Sequence, residues 1–167
     1  MKYIKRILFL LLCFSGSHFL QAQERVRPVY KDSLWSKNDS IVLFAQNYLG
    51  TPYKYGSCDK KYGGFDCSGF TYFVFAHFGI SIPRSSSAYE HFGTTIKKED
   101  ARRGDLILFT GTKSTKGVGH VGIVISNPGE PLRFIHASSS KNHPGVVITE
   151  FESSYYPKRF VKICRVK

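Results

Sequence analysis

Apolar residues recur at helical spacing in two stretches of the first half of the chain. Ile41, Phe44, Ala45, Tyr48 and Leu49 fall at i, i+3, i+4, i+7 and i+8, one face of a helix over 38–49. Asn38 is placed to cap its start, Gly50 to end it, and Pro52 prevents continuation. A second helix is expected over 67–78, with Phe70, Val74, Phe75 and Phe78 as its buried stripe and Gly79 as its stop. A short helical turn follows over 86–92. After Gly104 the texture changes. Segments 105–110, 118–126, 133–137, 146–151 and 159–166 are rich in Val, Ile and Phe, and Gly, Pro, Asn and Ser separate them. Helices first and strands afterwards predict an α+β domain with an antiparallel sheet. No internal repeat or low-complexity tract interrupts it.

The ends modify this picture. Lys2, Lys5 and Arg6 precede an apolar run from Ile7 to Phe14, and small or polar residues follow. This reads as an export signal over 1–22, cleaved near Ala22-Gln23, which places the protein in the periplasm or cell envelope. Cys13 closes the Leu-rich run and offers a lipoprotein alternative, although Leu12 is large for the position before a lipidated cysteine. No long apolar run follows, so no stable membrane span is expected after cleavage. Residues 23–37 read as a leader, and 38–167 as one domain.

Composition suits such a domain: 167 residues, 42% hydrophobic, which argues against a disordered chain. The 24 basic residues outnumber 12 acidic ones, for a net charge of +12. The basic residues, Lys60, Lys61, Lys97, Lys98, Arg102 and Arg103 among them, are scattered. They suit an anionic envelope polymer, and no recognition motif points to nucleic acid. With Cys13 removed, Cys58, Cys67 and Cys164 remain. No Cys-x-x-Cys spacing suggests a zinc ribbon or redox pair.

Chemistry concentrates at Asp66-Cys67-Ser68-Gly69-Phe70. Asp66 is a plausible helix cap, which puts Cys67 in the first turn, where the backbone N–H groups and the dipole favour a thiolate. The pattern alone fits a nucleophile or a small buried cysteine equally well. Among the histidines, His18 belongs to the signal, His77 to the last turn of the second helix, and His91 and His143 to polar surroundings. His120 and His136 each lie within a strand. The turn Asn127-Pro128-Gly129-Glu130-Pro131 joins those strands into a hairpin. In one register Ser126 faces Leu132 and His120 faces Ser138; shifted by two, His120 faces His136 directly. Both registers put the histidines on one face, roughly 5 to 8 Å apart. The other face carries Val121, Ile123, Ile125 and Ile135 as core, leaving the histidines on the non-core or helix-facing side. A metal site would need a third ligand, and no His-Glu-x-x-His or suitably spaced acid supplies one. A cysteine nucleophile, a histidine base and a second ring orienting the base fit better: Cys67, His120 and His136.

These residues resemble the NlpC family of bacterial cell-wall cysteine peptidases. The matching blocks are Asp66-Cys67-Ser68-Gly69-Phe70, Arg103-Gly104-Asp105-Leu106, Gly119-His120-Val121-Gly122-Ile123 and Phe134-Ile135-His136-Ala137-Ser138. Gly50-Thr51-Pro52-Tyr53 and Ile82-Pro83-Arg84-Ser85-Ser86 match further blocks. Gly56 stands alone where members often have paired glycines. The resemblance spans about 38–167 and implies a papain-like fold with nucleophile Cys67, base His120 and orienting residue His136. It also implies hydrolysis of peptidoglycan stem peptides, often between D-glutamate and the diamino acid, with no cofactor or metal. Candidate substrate-binding residues are Tyr53, Asp66, Ser68, Arg84 and Ser85. Tyr53 could direct its hydroxyl at an oxyanion or a substrate amine, or simply pack after Pro52. Asp66 could bind a substrate ammonium, or simply cap the helix. Two other functions stay open on the same fold, a non-catalytic wall-binding protein and a thiol amidase or acyltransferase. With Cys67 kept as a thiol, Cys58 and Cys164 are left as a candidate disulfide.

Overall fold

The computed structural model describes residues 36–112 and 116–166. The expected signal over 1–22, Cys13, His18 and the leader through residue 35 lie outside them. The elements run α1 (Lys37–Gln46), β1 (Cys58–Asp59), β2 (Gly64–Phe65), α2 (Cys67–His77), β3 (Thr94–Ile96), β4 (Leu106–Phe109), β5 (His120–Val124), β6 (Arg133–Ser139), β7 (Pro144–Glu150) and β8 (Phe160–Arg165). Ser36, not Asn38, caps α1. Its hydroxyl accepts from the Asp39 N–H, and the Asp39 carboxylate accepts from the Ser36 N–H at 3.0 Å, a reciprocal capping box. The helix ends at Gln46, short of Leu49, which is exposed. Ile41 and Ala45 are buried as expected, and Val42 joins them. The expected helical turn over 86–92 is a 3-10 turn, Ser86–Tyr89.

β3 and β4 to β8 form one antiparallel sheet in the order β3-β8-β4-β5-β6-β7. All five expected strands are present, and β3 was not foreseen. Ile123 faces Ile135 and Val124 faces Phe134, so His120 lies across from the Ser138 position and His136 across from Gly122. The histidines are diagonal neighbours, not a direct pair.

The expectation that the histidine face is free of core or carries the helix is corrected. α2 packs on the opposite face, where Phe70, Val74 and Phe75 meet Val121, Ile123, Ile135, Leu106 and Leu108. The histidine face has a second apolar cluster: Ile107, Phe109, Val124, Phe134, Phe151 and Ile163. Both faces of β5 are therefore buried, which explains its unbroken apolar run. No disulfide joins Cys58 and Cys164: both thiols are free. Cys164 is sealed in β8 within the α2-side core, while Cys58 lies in the separate two-strand ribbon beside Arg84.

Candidate active site

Asp66 caps α2, its Oδ1 accepting from the Gly69 N–H at 2.6 Å. This sets Cys67 at the first helical position, where only 8% of it is exposed. Backbone N–H groups of Ser68, Val121 and Cys67 itself approach the sulfur and favour the thiolate. Burial, aided by the Asp66 carboxylate, outweighs them and pushes the Cys67 thiol up. The Val121 contact puts the sulfur at the beginning of β5, one residue beyond His120 along the strand.

His120 and His136 meet, with His120 Nε2 at 3.0 Å from His136 Nδ1 and the rings perpendicular. Gly122 makes this possible. A side chain there would stand directly opposite His136, and its Cβ would come within 2.7 Å of Phe134 Cδ2 and 3.2 Å of His136 Cβ. The other nitrogen of His136, Nε2, lies 3.0 Å from Thr149 Oγ1 on β7. Burial holds His120 well below the usual imidazole range, with His136 and Arg159 acting in the same direction. Burial, with Arg159 again, brings His136 down to about 3. Both rings are neutral near pH 7. One tautomer set that satisfies both contacts has His136 Nε2–H donating to Thr149 and His120 Nε2–H donating to His136 Nδ1. His120 Nδ1 is then the basic lone pair.

A cleft of about 630 Å³ opens over Cys67 and His120, with Tyr53, Gly119, Ser138, Tyr156 and Arg159 in its walls. Burial raises the Tyr53 hydroxyl to about 12, so it remains a donor. Arg84 grips Asp66 through both carboxylate oxygens, at 3.0 and 2.9 Å, and also donates to Ser68 Oγ and the Gly56 carbonyl. Asp66, Ser68 and Arg84 thus form a network beside Cys67, outside the cleft lining. Ser85 is exposed and pairs with Ser87. Among the described residues, no group of three or more His, Cys, Asp or Glu side chains is placed to hold a metal ion. No described helix is long and apolar enough to cross a membrane.

Sequence reasoning missed Thr149, Tyr156 and Arg159. Thr149 shares the histidine face because His136 pairs with Val147 and Phe134 with Thr149. Counting from that second hairpin would have found it, had its polar loop marked the strand ends. Tyr156 Oη lies 3.4 Å from His120 Nε2, and its ring stacks on His120. It belongs to a 3-10 turn, Tyr156–Arg159, which has no apolar period to read.

The NlpC/P60 family profile matches residues 50–165. The chain is 34% identical over 148 residues to the bifunctional muramidase/DL-endopeptidase CwlT of Bacillus subtilis, covering 87% of this chain and 41% of that protein. It is 36% identical over 121 residues to the Escherichia coli K12 murein DD-endopeptidase MepS/murein LD-carboxypeptidase, covering 72% and 58%. The crystal structure of an NlpC/P60 family protein from Bacillus cereus superposes with a TM-score of 0.68 at 29% identity, over 78% of this chain and 40% of that one. The chain therefore spans less than two thirds of the length of these relatives. With the family's papain-like arrangement of helices and antiparallel sheet, and with a profile match over most of its length, the chain belongs to the NlpC/P60 family.

Proposed function

We propose that this protein is an exported cysteine endopeptidase that hydrolyses peptidoglycan stem peptides at the γ-D-glutamyl–diamino acid bond. The observation that carries the reading is the hydrogen-bonded relay His120–His136–Thr149, whose His120 end shares one cleft with a thiol at a helix start. The relay leaves His120 Nδ1 to take the Cys67 proton as the sulfur attacks the carbonyl. Because the thiol is pushed up and the imidazole down, the resting pair is neutral, and the proton moves during attack. Collapse of the tetrahedral intermediate forms a thioester on the glutamyl side, and His120 returns the proton to the departing amine. Water, deprotonated by the same nitrogen, then releases the acid and restores the thiol. The Cys67 N–H and the Tyr53 hydroxyl are the candidate donors to the oxyanion. The cell envelope supplies the substrate, and the excess of basic residues suits its anionic polymers.

The bond assignment is supported by the relative named as a DL-endopeptidase, while MepS carries the name of DD- and LD-cleaving activities. Mass spectrometry of stem tripeptide incubated with reduced, purified protein decides. L-Ala-D-Glu and a free diamino acid are expected, with none formed by Cys67→Ala. Intact tripeptide after long incubation would overturn the assignment, and if a stem tetrapeptide incubated alongside is cut only at its D-Ala bond, the thiol chemistry stands and the bond moves.

A further inference from the structure

One charged group at the cleft has no part in this chemistry. Arg159 lines the cavity that holds Cys67 and His120, half-buried at the end of the turn 156–159. Its Nε and Nη2 both donate to the Thr110 carbonyl, and the Thr110 N–H returns a bond to the Arg159 carbonyl at 2.8 Å. The guanidinium lies 5.5 Å from the Tyr156 ring centre. The side chain is thus held in place.

Among the described residues no carboxylate pairs with it. The acids in ion pairs are Asp39, Asp59, Asp66, Asp105 and Glu152, each matched to a different base. A guanidinium has five N–H donors, and one carbonyl does not use them all. A fixed, partly desolvated cation with spare donors in a reaction cleft suits the planar, two-point geometry of a carboxylate.

The position along the cleft says which carboxylate. His120 must reach the departing nitrogen to protonate it, so the leaving fragment runs along the wall formed by His120 and Tyr156. Arg159 stands on that wall. We infer that Arg159 is a subsite for the main-chain carboxylate of the diamino acid on the leaving-group side of the scissile bond. This rests on the peptidase reading above. It also couples binding to chemistry: the Arg159 charge adds to burial in holding both histidines down, and a docked carboxylate offsets that part, making His120 a stronger base once substrate is in place.

The test uses L-Ala-γ-D-Glu-L-Lys with a free C-terminal carboxylate and the same peptide as its carboxamide. Wild type should cut the free acid with a kcat/KM about 10- to 100-fold higher, the range for a charge-assisted contact. Arg159→Gln should bring the free acid down to the carboxamide level, while Arg159→Lys keeps part of the preference. Arg159→Gln should also move the acid limb of the carboxamide's pH profile upward, which a merely structural role would not do. Undiminished preference in Arg159→Gln, or an equal fall for both peptides, overturns the subsite. Binding to Cys67→Ala, followed by titration calorimetry, separates this inference from the peptidase reading. Preferential binding of the free acid that needs Arg159, without turnover by wild type, sinks the peptidase reading and keeps the subsite. Equal or undetectable binding of both peptides sinks the subsite.

Discussion

A thiol at a helix start gains from the dipole, but at Cys67 burial and the Asp66 carboxylate take back more than the backbone N–H groups give. Such a thiol depends on its base more than a preformed thiolate would. In the proposed mechanism the base is one tautomer of His120, held by His136, whose own tautomer is held by Thr149. Substitutions along this relay should therefore have graded effects. His120→Asn removes the proton acceptor and should lower kcat/KM by about 10³-fold, within the range of general-base contributions. His136→Asn leaves a carbonyl to accept from His120 and should stay within about tenfold of wild type, whereas His136→Ala should lose about 10²-fold. Thr149→Val, at the far end, should cost less than His136→Ala. Steady-state kinetics on the stem tripeptide checks the order, and equal losses in the two His136 variants would remove the orienting role.

Elements place these residues through what they lack as much as through what they carry. Gly122 on β5 lies opposite His136, and the missing side chain is the space through which the two rings meet diagonally. Gly122→Ala would force a Cβ to 2.7 Å from Phe134 Cδ2, against a strand packed on both faces. The expected cost is about 1 to 3 kcal/mol of stability, typical of overpacking, with kcat falling more than KM rises because the ring contact is displaced. Thermal melts and kinetics of that variant check both, and an unchanged kcat would show that the diagonal contact is dispensable. The same strand marks where sequence reading reached its limit. Periodicity located both helices, and the Asn127–Pro131 turn located the hairpin and put His120 and His136 on one face. It could not choose the face that α2 covers, because Val121 and Ile123 on one side and Val124 and Phe134 on the other are all fully buried. The two-residue strands β1 and β2 and the polar edge strand β3 are too short to show alternation. Ser36 was passed over as a cap because the apolar period begins later, at Ile41. Arg159 and Tyr156 reach the cleft from a 3-10 turn, where only tertiary structure assigns a direction.

At the scale of the molecule, one sheet carries a large core on the helix side and a smaller aromatic cluster on the other, and the two histidines are sealed into the smaller one. Only 8% of His120 and 1% of His136 is exposed, among Phe109, Phe134 and Tyr156. Neutral burial makes the fold sensitive to acid. In the unfolded chain a histidine takes up its proton near pH 6.5, whereas His136 resists until about 3 and His120 is lowered in the same direction. Above 6.5 neither state binds the proton, and the histidines contribute nothing to the pH dependence. Below 6.5 the unfolded state binds more protons, so stability falls as pH falls, by about 1.4 kcal/mol per pH unit for each such histidine. By pH 5 the His136 contribution is about 2 kcal/mol, a large fraction of an ordinary domain's margin. The excess of basic residues adds self-repulsion in the same direction, so the wild-type trend alone does not identify the cause. The variant difference does. Urea unfolding at pH 7.5, 6 and 5 should show a steep loss in the wild type and a slope shallower by about one proton in His136→Asn, which has no imidazole to charge. Parallel pH dependences in the two proteins would mean that His136 is not the buried neutral group described here.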